Sequence, residues 1–468
     1  MAGRDVVGGT LRVLTDRLLV VGGLVLFAMM LHVVADVFMK YVFNDPIEGT
    51  LEIVAYYYMV AAVFLPIGVV ELARESVAVD VFYRLMPRGG RAACTVLALL
   101  VSIAIYLGFA WVTWGDALRA LDKREVVMGP VDVPIWPSRF VLPVGFALVA
   151  FTGLWAVTNL RAAVGLVRAI PYEFIATWAF SAVPMFLLMG YVASHSGLTN
   201  GLFNAMRILL HRLPGGLASA SVGASALFAA ASGSSVATSA AMSRIAVPEM
   251  LKSGYDKSLA TGTVAAAGTL GSLIPPSILM VLYGVFTQTS IGKLFVAGFL
   301  PGLLSAAIYM AMITLRARFQ PGTAPLSKER HSREELVAAL KEIWPLPTLV
   351  VGVLGGIFLG IMTPTEAGAV GAFLACAIAL VKRRLTVPLM TSALRDTARS
   401  TSVIFIIAMG ASMFTSFMGL TGVPRALAEV MLAVGDDPVA IVLMVALIYI
   451  VLGMFIDSIG LMLLTLPI

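Results

Sequence analysis

Long apolar runs separated by short polar connections extend from Leu18 almost to the end of this 468-residue chain. Each run is long enough to cross a hydrocarbon core of roughly 30 Å as a helix. The period-two alternation of barrel strands is absent, so the pattern predicts an all-α polytopic membrane protein. Residues 1–168 predict four spans, at about 18–42, 50–72, 92–114 and 136–160. From Pro171 the texture shifts to Gly, Ala, Ser and Met with few aromatics, and 343–381 predicts two spans joined by a turn at Met362-Thr-Pro-Thr-Glu366.

Two of the apolar runs are interrupted from within. The first carries Ala229-Ala-Ala-Ser-Gly-Ser-Ser-Val-Ala-Thr238 and the second Gly268-Thr-Leu-Gly-Ser-Leu-Ile-Pro-Pro-Ser277. Backbone polar groups in lipid must be satisfied internally, so such breaks persist only where they are packed in protein or line a cavity. Two broken segments meeting near the midplane are the arrangement of an ion or substrate site in a secondary transporter.

Composition narrows the class further. The chain is 60% hydrophobic and 12% charged, with a mean hydropathy of +0.97, whereas soluble domains carry about a quarter charged residues. The first apolar run is too long for a signal peptide and no small-residue cleavage site follows it, so it is expected to be a permanent span. The net charge of +6 comes mostly from Lys and Arg between spans, which reports orientation and not nucleic-acid binding. Cys94 and Cys376 lie in apolar helices and are expected to pack as small hydrophobes. The four histidines (32, 195, 211 and 331) lack metal-ligand spacing, and no phosphate-binding GxxxxGK[ST] loop occurs.

Positive charges orient the spans. Arg4, Arg12 and Arg17 precede the first, and Arg161 and Arg168 follow the fourth, which puts both ends of 1–168 in the cytoplasm. The stretch 316–341 (including Arg316, Arg318, Arg330 and Lys341) is the most polar segment and is expected to be a cytoplasmic connection, with Lys382 to Arg399 a second. An internal repeat is visible across the long polar loop. Gly197-Leu-Thr-Asn200, an amphipathic stretch at 202–213 and an apolar segment lead to Ser232-Gly-Ser-Ser235. Gly419-Leu-Thr-Gly422, an amphipathic stretch at 424–434 and an apolar segment lead to Gly453-Met-Phe-Ile-Asp-Ser458. Arg207, His211 and Arg212 mark the first copy as cytoplasmic, while Asp436 and Asp437 suit the outside for the second, which is the pattern of an inverted-topology repeat; chance similarity in low-complexity apolar sequence is the alternative. With Arg168 and Arg207 both inside, one span at 172–193 cannot connect them. An odd number of spans is therefore expected to be missing near residue 169, and the second repeat stops at Ile468 before any counterpart of 268–277.

These motifs together resemble the membrane subunits of tripartite ATP-independent periplasmic (TRAP) transporters, in the form that fuses the small and large subunits. The large-subunit pattern is carried by Ser-Gly-Ser-Ser-Val-Ala-Thr, Pro248, Gly254-Tyr255, Gly-Thr-Leu-Gly-Ser-Leu-Ile-Pro-Pro-Ser and Gly298-Phe-Leu-Pro-Gly302. Thr363-Pro-Thr-Glu-Ala367 and Gly453-Met-Phe-Ile-Asp457 add to it. The small-subunit match is looser: Asp36-Val-Phe-Met-Lys-Tyr-Val-Phe-Asn-Asp-Pro46, Glu52 and Val79-Asp80. Lys40 stands where the family usually has Arg, and Ser458 where Pro usually follows the Asp. The resemblance implies an inverted-repeat, elevator-type transporter with re-entrant hairpins plus a four-helix small-subunit unit at 1–168. Residues 169–468 would form the transport and scaffold domain, with the first repeat at about 172–315, the loop at 316–341 and an incomplete second repeat at 343–468. It implies residence in the bacterial inner membrane and sodium-driven import of a small organic anion, typically a carboxylate such as a C4-dicarboxylate. A soluble periplasmic substrate-binding protein would deliver that anion, with membrane lipid around the chain and no nucleic-acid partner.

The resemblance further implies that 217–251 is a re-entrant hairpin with its tip at 232–235. Sodium is a hard cation, expected by extension from other hard cations to take oxygen ligands. Pro275 and Pro276 lack N–H donors and free carbonyls one turn earlier. Gly271 permits the backbone geometry. Main-chain oxygens of Gly271, Ile274 and Pro276, with the Ser232 and Ser235 hydroxyls, are the expected sodium site; a Pro kink packed on a small-residue interface is the structural alternative. Ser234, Thr269, Ser277, Asp457 and Ser458 are candidates for contact with substrate or for the second hairpin. Asp457 sits deep in an apolar run, where an ionisable group is a functional candidate, or it caps a helix at the hairpin tip. Glu366 fits the third position of a capping box on Thr363. Asp36 and Lys40, one turn apart, are expected to pair near the membrane surface, and 202–213 and 424–434 to lie as interfacial helices. An ion-coupled symporter needing no binding protein is a second reading, opposed by the four-span unit. A membrane-embedded enzyme would need a surface cluster of His, Asp or Glu, which is not found.

Overall fold

With no water available to bond the backbone, apolar runs close their hydrogen bonds within the segment, and helices follow. The computed structural model describes residues 2–67, 106–128, 131–147, 175–325, 332–421, 438–454 and 458–466. Four of the described helical stretches are long and apolar enough to cross a membrane: Val13–Phe43, Trp178–His195, Ile291–Phe319 and Pro364–Val381. A fifth candidate is a broken one, Lys257–Leu273 with Ile278–Phe286, bent by 41°. Cys94, Val79, Asp80, the stretch 424–434, Asp457 and the segment around residue 169 lie outside the described residues, as do parts of the expected spans at 50–72, 92–114 and 136–160.

The chain forms two compact units. The first gathers Met1–Leu26, Glu48–Trp178 and Ala398–Ile468. Its core is aromatic, with the Phe146 ring edge-on to Phe64 at 5.2 Å and to Phe109 at 4.9 Å. Ser402 donates a buried hydrogen bond to the Val63 carbonyl at 2.8 Å. The mixed-sign connection at 116–135 is more ordered than its composition suggests. A helix runs on to residue 122, and Val126–Val127 (β1) pairs antiparallel with Val133–Pro134 (β2). Arg139 and Glu125 close it with an ion pair at 2.6 Å.

The second unit, Phe27–Ile47 with Ala179–Thr397, holds the interrupted segments. Its helices are α1 (Ala182–His195), α2 (Leu198–Leu210), α3 (Gly216–Ser232), α4 (Ser235–Lys252), α5 (Lys257–Gly268), α6 (Ile278–Phe286), α7 (Ile291–Phe319), α8 (Arg333–Glu342), α9 (Pro345–Phe358) and α10 (Pro364–Val381). Helix α1 is apolar on all sides and buried, as a fully surrounded helix must be. It packs on α10, where Gly368 and Gly371 leave room for Met185 and Met189 and let the backbones approach.

Helix α2 contains most of the amphipathic stretch at 202–213, and the chain turns at 211–215. The polar segment 316–341 is not merely a loop, because it contains the start of α8. Ala339 and Leu336 there pack against Ala205 and Ile208 of α2. The amphipathic face of α2 is thus covered in part by protein.

One expected pairing is corrected. Lys40 does not pair with Asp36; its Nζ lies 3.1 Å from Glu366 Oε1, while Asp36 accepts the Ile47 N–H at 2.7 Å. The physical reason is a π-helical turn at Met39–Phe43, which widens the coil and shifts the register on which a one-turn pair depends. The capping box at Thr363 and Glu366 is present in full. The Thr363 N–H donates to Glu366 Oε2 at 2.7 Å, and the Glu366 N–H donates to Thr363 Oγ1 at 3.3 Å.

Helix α5 begins on Asp256, whose carboxylate accepts from the Ser258 hydroxyl and from the Ser258 and Leu259 N–H groups. Those bonds, the Ser258 hydroxyl first, hold its pKa below the usual carboxylate value. A depressed carboxyl contributes stability above its unfolded value and loses it as pH falls through the folded one. Acidification below about pH 4 is therefore expected to loosen the α5 N-terminus, read as faster amide exchange at 257–260. Asp256→Asn should remove most of that pH dependence.

Candidate functional site

The hairpin of α3 and α4 is built by its break. Gly233 follows α3 with φ +60, a left-handed conformation that glycine adopts without a Cβ penalty. Ser234 is extended and caps α4, its hydroxyl accepting the Ala237 N–H at 3.3 Å. Opposite the tip, a short turn at Leu270–Leu273 leads to an extended Ile274 and a cis Pro275–Pro276 bond, and Ser277 then caps α6.

Tip and break are joined by main-chain contact. The Ile278 N–H donates to the Gly233 carbonyl at 3.1 Å. A Cβ on Gly233 would come within 2.7 Å of the Pro276 oxygen, and one on Gly271 within 2.5 Å of the Ser234 oxygen. Both glycines are required by close approach, since a side chain at either would drive backbone from backbone. Across the break, Gly302 leaves room for Ile274 and Gly298 for Met280 and the Leu273 carbonyl, so the Gly298-Phe-Leu-Pro-Gly302 motif is a seat for the broken helix. Tyr255 of the Gly-Tyr pair accepts the Leu217 N–H at 3.2 Å and ties the base of the hairpin.

Unspent oxygens concentrate here. Gly271 has proline four residues on, so its carbonyl lacks the usual helical donor. Ile278, the helical donor for Ile274, bonds Gly233 instead. Ser232 and Thr238, both buried, are hydrogen-bonded at 2.8 Å. Thr238 has one proton and gives it to the Ser234 carbonyl at 2.8 Å, so Ser232 is the donor to Thr238 and keeps its acceptor lone pairs. The donor set is neutral oxygen only. Among the described residues no three of His, Cys, Asp or Glu gather as metal ligands. Neutral carbonyls and hydroxyls fit a monovalent hard cation better than a transition metal.

The structure brings Ser232, Gly271, Ile274 and Pro276 to this joint, with Ser235 as the first residue of α4. The other candidates divide. Ser277 is fully buried and donates to the Ser272 carbonyl at 2.6 Å. Thr269 is exposed and donates to the Ala266 carbonyl at 2.7 Å. Ser458 opens the helix Ser458–Thr465 in the first unit, and Asp457 lies outside the described residues. Thr238 is the residue that sequence reasoning missed. Its signal was its place one turn after the tip, where its hydroxyl can reach back to the carbonyl of Ser234.

Several membrane-length helices, an antiparallel helical hairpin and a helix broken against its tip define a multi-pass α-helical membrane protein. Residues 138–468 match the tripartite ATP-independent periplasmic transporter, DctM component, and residues 29–163 the DctQ component. The chain belongs to the TRAP transporter permease family, a family of transporters and not of enzymes, and carries both components fused; it is a multi-pass protein of the bacterial inner membrane. It is 33% identical over 380 residues to the isethionate TRAP transporter permease protein DctMQ of Oleidesulfovibrio alaskensis, covering 81% of this chain and 57% of that protein. It is 38% identical over 288 residues to the C4-dicarboxylate TRAP transporter large permease protein DctM of Pseudomonas aeruginosa (61% of this chain, 67% of that protein). Identity to the sialic acid TRAP transporter permease protein SiaT of Haemophilus influenzae is 31% over 361 residues (76% and 58%). The chain thus spans little more than half the length of the fused relatives it matches.

Proposed function

We propose that this chain is the membrane permease of a sodium-coupled importer of small organic anions, supplied by a periplasmic substrate-binding protein. The observation that carries the reading is the joint between the hairpin tip and the broken helix. Its Gly271 and Ile274 carbonyls have lost their helical donors, and the Ser232 hydroxyl keeps its lone pairs. Sodium is a co-transported substrate here, held by main-chain oxygens of Gly271, Ile274 and Pro276 with Ser232 and Ser235, and Thr238 positions Ser232. The names of the relatives support the substrate class: isethionate is a sulfonate, and C4-dicarboxylates and sialic acid are carboxylates. Residues 1–168 act as small-subunit scaffold and 169–468 carry the moving hairpins as an elevator. Sodium biases that exchange by binding one arrangement of tip and break better than the other.

The test is uptake of labelled succinate, N-acetylneuraminate and isethionate into proteoliposomes holding the chain, with and without a sodium gradient and the cognate binding protein. Uptake that needs both is the expected result. Uptake indifferent to sodium or to the binding protein contradicts the proposal.

A further inference from the structure

Immediately below the hairpin tip, α4 borders a second polar feature that the sodium joint does not use. Ala237, Ala240, Ala241, Arg244 and Ile245 line one wall of a cavity of about 360 Å³. Their spacing is that of a single helical face, and alanine at three of the five positions leaves the space open. Such a volume lies in the range of small-molecule pockets, about 300–1,000 Å³.

Arg244 is the one permanent cation of that wall. It is exposed and makes no ion pair among the described residues. The neighbouring charges are already engaged. Glu249, further along α4, lies 3.6 Å from Arg207. Arg384 donates to the Ser196 and Gly197 carbonyls, both at 3.1 Å. Asp396, which also lines the cavity, is hydrogen-bonded to His195 Nε2 at 2.9 Å, and the His195 ring stacks on Tyr191. The carboxylate that shares the cavity is thus engaged by histidine, and the Arg244 guanidinium makes no ion pair among the described residues. Its planar fork matches carboxylate and sulfonate oxygens in pairs.

We propose that this cavity seats the anionic group of the transported solute, with Arg244 as its ion-pairing residue and the alanine face of α4 as its floor. The inference rests on the reading of the chain as an organic-anion permease and adds the residue that recognises the charge. Arg244 stands roughly 13 Å along the helix axis from Ser235, at about 1.5 Å per residue. Solute and sodium would therefore occupy the same hairpin at different depths, and movement of the hairpin would carry both.

The experiment is anion binding to the full chain in phosphatidylcholine nanodiscs, read as a shift in thermal unfolding midpoint on titration with succinate, isethionate and N-acetylneuraminate. At least one anion is expected to bind. Arg244→Gln should weaken it about tenfold or more, the size expected for losing a hydrogen bond to a charged group, and Arg244→Lys should recover part of the loss. Ala240→Leu, which narrows the cavity without touching charge, should weaken binding as well. The proposal is overturned if none of the three anions binds the unaltered chain, or if Arg244→Gln binds with unchanged affinity. It is also overturned if an Arg244-dependent shift appears only with phosphatidylglycerol in the disc, which would make the occupant a lipid headgroup. Proteoliposome uptake keeps the two readings apart. Sodium-dependent uptake with an unaltered KM in Arg244→Gln contradicts the anion seat alone, and Arg244-dependent binding without any uptake contradicts the import function alone.

Discussion

Gly271→Ala is expected to cut sodium-dependent uptake tenfold or more while leaving the chain inserted in the membrane. The added carbon would sit 2.5 Å from the Ser234 oxygen, 2.6 Å from its carbonyl carbon and 2.8 Å from Thr238 Oγ1. Two of those three neighbours are backbone, so no rotamer change relieves the clash. The broken helix and the hairpin tip must separate instead. Overpacking in a fixed site costs about 1–3 kcal/mol, and here the displacement falls on the carbonyls proposed to hold sodium. A loss of tenfold or more in uptake follows from the lower half of that range, about 1.4 kcal/mol. Gly262 provides the control on the same broken span: nothing lies within 4 Å of its Cβ position. Gly262→Ala should keep full uptake and gain about 0.5–1 kcal/mol of helix stability. Equal losses at the two positions would show that the joint has no special role.

Glu366→Ala carries the largest expected cost to stability. Glu366 is almost wholly buried and serves two elements at once. It completes the capping box that starts α10, and it receives Lys40 from a segment 326 residues away in sequence. Loss of a cap costs about 1 kcal/mol. The ion pair adds less than a fully buried one, because the Lys40 side chain is 40% exposed and solvent screens it. A combined loss of about 1–3 kcal/mol is expected, read as a lowered thermal midpoint of the full chain in detergent. Glu366→Gln separates the parts, since glutamine satisfies the capping box but cannot pair with Lys40. It should retain roughly half the stability lost by alanine. A midpoint unchanged by Glu366→Ala would remove the proposed link between α10 and the Lys40 segment.

The features legible in the sequence are those written in local chemistry. The Ser-Gly-Ser-Ser interruption set the hairpin tip, because a glycine with φ +60 and a serine cap are needed where two helices turn back. The proline pair set the break, because two missing donors end a helix wherever they occur. The Thr363 and Glu366 box could be read from spacing alone. What could not be read depends on distant packing. Lys40 gave no sign of choosing Glu366 over Asp36, because a π-helical turn reset the local register. The start of α8 at Arg333 was hidden in a polar stretch whose composition suggested a connection, and only its packing on Ala205 and Ile208 reveals a helix with a partner. Arg244 drew no notice in the sequence, because its significance lies in the cavity it shares with residues of α1 and with Asp396, which are distant along the chain.

The central claim is that the joint between hairpin tip and broken helix holds sodium. Equilibrium binding of radiolabelled sodium to the purified full chain tests it most directly, with Gly271→Ala and Thr238→Val measured beside the unaltered protein. Saturable binding that potassium does not displace, lost in Gly271→Ala and weakened in Thr238→Val, is the predicted result. Absence of saturable binding, or binding that survives Gly271→Ala unchanged, would contradict the account.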